Sequence, residues 1–154
     1  MLSAITLGLR VLQIILSIAL LGLSVNLARF KTCTEFLFLC ITWPSSIVVT
    51  LRYSIFLGIY GIVTAALGIG ALYLDRIPLI AQLAADAFAA LFFLAGGIGW
   101  VVNFVRLEDY GSLFDAAFGQ ARGAQGLVWT LFAVTACIAV CTFLRRRDQA
   151  QSSK

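Results

Sequence analysis

The sequence predicts an all-α integral membrane protein, a bundle of four transmembrane helices forming one domain. Three observations carry that expectation. Hydrophobic residues make up 62% of the 154 residues and charged ones only 12%, against roughly 25% charged in soluble domains. Mean hydropathy is +1.02. Four apolar runs, at about 5–27, 53–74, 79–105 and 124–144, each reach the roughly 20 residues that a helix needs to cross a bilayer core.

The first run, 5–27, is too long for the apolar part of a secretory leader, and Asn26-Leu27-Ala28 is a poor cleavage site. A retained span is the better reading. The segment 30–50 follows, apolar in patches but interrupted by Glu35, Pro44, Ser45 and Ser46. Its continuous part, 36–43, is too short to cross, so it is expected to lie at the interface or dip in, with Trp43 as an anchor. The alternative, a fifth span, would put the two termini on opposite sides. The last ten residues, RRRDQAQSSK, read as a short, mobile basic tail.

Each run carries polar or small residues at helical spacing: Arg10, Gln13, Ser17 and Ser24 in the first; Gly58, Gly61, Ala65 and Gly68 in the second. The third shows Gln82, Asp86, Ala89, Gly96 and Asn103, and the fourth Gly126, Thr130, Ala133, Cys137 and Cys141. Lipid tails are as apolar as leucine, so helices in a bilayer associate through such small and polar faces. One inward face per helix predicts a compact four-helix bundle.

With four spans the termini share a side, and the first and third helices run in the same direction. Arg10 and Asp86 then both lie about 12 Å deep, at about 1.5 Å rise per residue. A lone charge at the centre of a membrane helix costs about 2.5–3.5 kcal/mol on insertion scales, so each is expected to have a partner. An Arg10–Asp86 ion pair with Gln13 and Gln82 as hydrogen-bonding neighbours is the leading reading. The alternatives are Arg10 reaching to lipid phosphates and Asp86 serving as a proton or cation site.

Orientation rests on the basic residues. Arg76, Arg145, Arg146, Arg147 and Lys154 fall on the side of the termini, and Arg29, Lys31, Arg52, Arg106 and Arg122 on the other. The count is level. The dense Arg145-Arg146-Arg147 run after the last span favours cytoplasmic N- and C-termini, with the loop 107–121 on the external side.

Composition also excludes function classes. The chain has no histidine, which removes the commonest metal ligand and general base. Its four cysteines form no C-x-x-C pair, so no zinc knuckle, thiol relay or other cofactor is signalled. With no clustered carboxylates either, there is nothing on which to build an enzyme. The basic residues sit at the ends of apolar runs rather than on a basic-aromatic face, which excludes nucleic acid as a partner. Cys137 and Cys141, one turn apart, read first as small apolar side chains. Cys141, just before the arginine run, also fits a palmitoylation site.

Three stretches resemble one family. "LRVLQIILSIALLGLSVNL", with its Arg, the Gln three residues later and the G-L-S near its end, is similar to the first span of fungal MARVEL-domain proteins. "ADAFAALFFLAGGIGW" resembles the family's third span, with Asp86 at the acidic position. "RGAQGLVWTLFAVTACIAVCTFL" resembles the start of its fourth, with Arg122 and Gln125 in the motif places. The likeness covers nearly all the chain, and within the family it points to the non-classical-export, eisosome-associated group. Two features depart from it: the loop 107–121 lacks the cysteines often found there, and the segment 30–50 is longer and greasier than usual. That segment is either a genuine elaboration or retained intron sequence, which transcript sequencing would separate.

The resemblance implies a protein with cytoplasmic termini, acting in membrane apposition, lateral organisation or traffic, in plasma-membrane domains rich in sterol or sphingolipid. The leading expectation is thus a non-enzymatic membrane organiser whose partners are the bilayer, further copies of itself or other membrane proteins. The alternative is a small transporter or channel using Asp86.

Overall fold

The computed structural model describes residues 2–29, 32–34, 39–41, 45–73, 79–108 and 115–152. Four long helices dominate: α1 (Leu2–Arg29), α2 (Ser45–Tyr73), α3 (Leu79–Glu108) and α4 (Asp115–Ser152). Each contains a segment long and apolar enough to cross a membrane, Ala4–Ala28, Ile47–Ala71, Ile80–Val105 and Gly119–Leu144 respectively. The chain is therefore multi-pass in design.

Between α1 and α2 lies a two-stranded antiparallel ribbon, β1 (Thr32–Thr34) with β2 (Leu39–Ile41), in which Cys33 stands opposite Cys40. The all-α fold class holds, with this short ribbon as an addition to the four helices; Trp43, the expected interfacial anchor, lies outside the described residues. Residues 45–50 of that segment belong to α2, which starts at Ser45. The second span accordingly begins at Ile47 rather than at 53, and Arg52 sits on its exposed side. A long arginine stem can carry the charge outward to the interface from there. The C-terminal tail also differs from expectation: α4 continues through Arg145, Arg146 and Arg147 to Ser152. No proline or glycine interrupts those residues.

The helices form a ring in chain order, each packed against its neighbours in sequence, with α4 closing back on α1. Neighbours run antiparallel. Gly61 packs on Ser17 and Gly58 on Leu21; Gly96 meets Leu57, and Gly97 meets Trp129. Successive pairs thus climb one helix while descending the next. The inward positions keep one rhythm: Thr6, Arg10, Gln13, Ser17, Leu20, Ser24 and Leu27 on α1, and Ala121, Ala124, Val128, Leu131, Thr135, Ile138 and Thr142 on α4, all buried. Alternating steps of three and four are the spacing of near-parallel helix packing at about 20°.

The molecule is apolar outside and partly polar inside. Ile5, Ile15, Val63, Leu91, Val105 and Val140 are exposed, whereas Arg10, Gln13, Ser17, Ser24, Ser54 and Thr135 are fully buried. Water would not tolerate that surface, but it is the arrangement expected in lipid, where polar side chains find partners only inside the bundle. A continuous apolar cluster including Leu20, Leu57, Phe93, Trp100, Val128 and Leu131 fills the middle.

Candidate functional site: a buried polar centre joining four helices

Arg10 lies six residues into the first span and Asp86 six into the third, so both stand about 9 Å inside their spans. The parallel course of α1 and α3 brings the two to one level. Arg10 Nη2 donates to Asp86 Oδ2 at 2.5 Å, and the side chains are 0% and 1% exposed. These helices are diagonal in the ring, so the ion pair ties together two elements whose backbones are not neighbours. The arginine side chain crosses the bundle by passing over Gly68 of α2. A Cβ placed on Gly68 would land on Nε and Cζ of the guanidinium, with Nη2 only 2.7 Å away. Glycine here makes room for the charge rather than for a turn.

The second guanidinium nitrogen, Nη1, donates to Gln13 Oε1 at 3.3 Å and to the Thr64 carbonyl at 3.5 Å. Gln13 Nε2 in turn donates to Thr64 Oγ1 and to Thr135 Oγ1, each at 3.4 Å. Thr64 donates its own hydroxyl to the carbonyls of Tyr60 and Gly61 one turn back, which leaves its lone pairs free to accept. One network therefore draws Arg10 and Gln13 from α1, Thr64 and Gly68 from α2, Asp86 from α3 and Thr135 from α4. Arg10 Nε and Asp86 Oδ1 are buried with no hydrogen-bond partner among the described residues.

Of the residues expected to cluster, Arg10, Gln13 and Asp86 come together, and Gln82 does not join them. Its side chain is 9% exposed and makes no hydrogen bond among the described residues. It lines a cleft between α2 and α3 with Thr64, Leu67, Gly68, Ala81, Ala85 and Asp86, with a volume of about 240 Å³. The small residues expected to pack, Gly58, Gly61, Ala65, Gly68 and Gly96, are all buried.

The row expected to face inward on α4 is displaced. Gly126, Thr130, Ala133 and Cys137 are exposed and Cys141 is half-exposed, so this row faces outward. Its spacing has the right rhythm and the wrong phase. The inward row contains Thr135 and Thr142, two hydroxyls against the one, Thr130, on the outward row, a weak signal for the phase. Thr64, lying between Gly61 and Gly68 on the inward row of α2, was legible in the same way. Arg147 is exposed beyond the end of the fourth span; for Arg145 and Arg146 only the helical backbone is described.

A second polar layer lies toward the opposite end. Trp100 Nε1 donates to Ser54 Oγ at 2.9 Å, Ser54 Oγ donates to the Thr50 carbonyl at 2.9 Å, and Asn103 Nδ2 donates to Thr50 Oγ1 at 2.6 Å. At the same end, Asn26 Nδ2 donates to Gln120 Oε1 at 3.0 Å, and the Arg122 guanidinium stands 6.0 Å from the centre of the Phe104 ring. Gln125, the other fourth-span motif position, is half-buried.

Chemically, the centre is a neutralised, hydrogen-bonded clamp. Among the described residues no group of three or more His, Cys, Asp or Glu is placed to hold a metal ion. The chain matches no protein-family model, and no curated protein or solved structure matches it.

Proposed function

We propose that this chain is a non-enzymatic, MARVEL-like organiser of the plasma membrane or of membrane traffic, acting by association in the bilayer plane. The observation that carries this reading is the outward row of α4. Gly119, Gly123, Gly126, Thr130, Ala133 and Cys137 are exposed on one face of a helix that spans the bilayer. On the other helices small exposed residues are interspersed with exposed Ile, Leu, Phe and Val side chains. A strip without bulk lets a second helix approach closely, so dispersion contacts and lipid release favour association there. The Arg10–Asp86 clamp supports a structural role for the intramembrane charges. The basic residues Arg145, Arg146 and Arg147, on the side of the termini, fit a cytoplasmic face toward anionic lipid. Domains rich in sterol or sphingolipid are the setting that the family resemblance favours.

Cys137 supplies a native probe. Mild oxidation of membranes containing the full-length protein should give a disulfide-linked dimer that Cys137→Ala abolishes. Gly126→Leu should reduce it severalfold without loss of folded protein. Single-particle tracking should show slow, patchy diffusion that becomes faster in the Gly126→Leu variant or after sterol depletion. Fast, uniform diffusion with no cross-linked species would overturn the reading.

A second reading, transport through Asp86, is favoured by the cleft that ends at that residue. Against it stand the guanidinium bound to the carboxylate and the apolar cluster that fills the bundle beyond. Asp86-dependent proton flux into reconstituted liposomes would reverse the ranking.

A further inference from the structure

The α2–α3 cleft is a different feature from the clamp, although Asp86 borders both. Three residues without bulk create it, Gly68 on α2 and Ala81 and Ala85 on α3. At about 240 Å³ it holds far more than one water molecule, whose share of liquid volume is about 30 Å³. It lies at the same level as Asp86, about 9 Å inside the third span. Its rim includes Leu67 and Ala81, both exposed on the bundle's apolar outer face. The medium at the opening is therefore the outer part of the bilayer's hydrocarbon layer.

The wall of this apolar cleft carries two residues with hydrogen-bonding groups left unpartnered among the described residues, Gln82 and Asp86 through its Oδ1. Gln82 is 9% exposed as a residue and lines the cleft, and its carboxamide neither donates nor accepts a hydrogen bond among the described residues. A buried amide left without a partner is costly in a low-dielectric setting, and an unpartnered group of that kind in a native fold calls for an explanation. Gln82 offers both N–H donors and a carbonyl acceptor. Asp86, one turn away on the same wall, has its charge matched by Arg10, but its Oδ1 has no hydrogen-bond partner among the described residues, so a neutral group that donates a proton is favoured.

We infer that the α2–α3 cleft binds a neutral lipid with one free hydroxyl, the hydroxyl exchanging hydrogen bonds with the Gln82 carboxamide and the apolar body lying along Leu67, Ala81 and Ala85. A hydroxyl both donates and accepts, which matches an amide. Its short reach below the head-group level matches the depth of Gln82. Sterols and diacylglycerols both present this chemistry. The inference requires only that the bundle sits in a bilayer, and it stands whether or not the protein organises membrane domains.

The test uses the full-length protein in phosphatidylcholine nanodiscs, with two diazirine-bearing probes, a sterol and a diacylglycerol, each with its hydroxyl free. Photolabelling of the peptides containing 64–68 and 81–86 is read by mass spectrometry. Labelling by at least one probe should be competed by the corresponding unlabelled alcohol, and about tenfold less well by its methyl ether, the scale of one lost hydrogen bond. Which probe is competed identifies the source.

Gln82→Leu should lower the competable labelling about tenfold while leaving thermal stability unchanged or raised, because it removes an amide that has no partner among the described residues. Ala85→Leu, which fills the cleft from its α3 wall, should lower labelling and leave Gln82 in place. The inference is overturned if labelling is not competed, if the methyl ether competes as well as the alcohol, or if both variants label like the unaltered protein. A Gln82→Leu variant that loses folded protein would also count against it, since it would show the amide to be structural.

Discussion

Removing one charge from the Arg10–Asp86 pair tests the clamp most directly. In Asp86→Leu the guanidinium keeps only Gln13 Oε1 at 3.3 Å and the Thr64 carbonyl at 3.5 Å. Both are long beside the 2.7–2.9 Å of a charge-assisted bond. With Arg10 0% exposed, the orphaned charge has no route to water. Breaking a buried pair by deleting one partner costs about 3–5 kcal/mol, a large share of a typical total stability of about 5–15 kcal/mol. Arg10→Met should cost a similar amount, because Asp86 then loses the hydrogen-bond donor that it has among the described residues. The double variant Arg10→Met with Asp86→Leu leaves no charge to solvate. It should lie within about 1 kcal/mol of the unaltered protein or exceed it, since well-packed apolar replacements of buried pairs are often neutral or stabilising.

The charge swap, Arg10→Asp with Asp86→Arg, should restore only part of the loss. Position 10 faces two acceptors, Gln13 Oε1 and the Thr64 carbonyl, which suit a guanidinium and repel a carboxylate. The assay is unfolding of the purified protein by SDS in mixed micelles, with the folded fraction followed by size-exclusion chromatography. If the apolar double variant is as poorly folded as the worse single, the two residues do not act as a pair and the reasoning fails.

Other substitutions probe the surrounding structure. Gly68→Ala puts a methyl group into the Arg10 guanidinium and should cost about 1–3 kcal/mol as overpacking. Gly70→Ala, where a Cβ would meet nothing within 4 Å, should be neutral or stabilise by up to about 1 kcal/mol through helix propensity; the same SDS titration compares the two. Trp100→Phe removes the 2.9 Å bond to Ser54 while Ser54 keeps its own bond to Thr50, so a loss of about 1 kcal/mol is expected. Gln13→Leu deprives Thr64 and Thr135 of a common donor and Arg10 of an acceptor. It should cost about 1–3 kcal/mol in the same titration, more than Gln82→Leu, which breaks no bond among the described residues.

Much of this molecule was legible from the sequence alone. Four apolar runs and few charges leave membrane-spanning helices as the structure that satisfies every backbone group without water. On α1 and α3 the inward face could also be read, because Arg10, Gln13, Asp86 and Asn103 cannot face lipid without large cost and so fix the phase of both helices. Equal depth on parallel helices then placed Arg10 and Asp86 within reach of each other.

Tertiary structure alone decided the rest. On α4 hydroxyls stand on both rows, Thr135 and Thr142 inward and Thr130 outward, and the remaining positions are apolar or small, so lipid solvates either face nearly as well as protein does. Periodicity gave its rhythm but not its phase, so the Gly126–Cys137 row was assigned inward when it faces out. The fate of Gln82 was hidden for a related reason. Spacing puts it on the same side of α3 as Asp86, but whether it meets Arg10 or an open cleft depends on how closely α2 approaches, and Gly68, Ala81 and Ala85 hold that approach open. The short ribbon at Thr32–Thr34 and Leu39–Ile41 is likewise a product of chain reversal between two packed helices, since a segment of mixed polarity carries no period strong enough to announce it. Polarity fixes what must be hidden from lipid, and only packing decides what hides it.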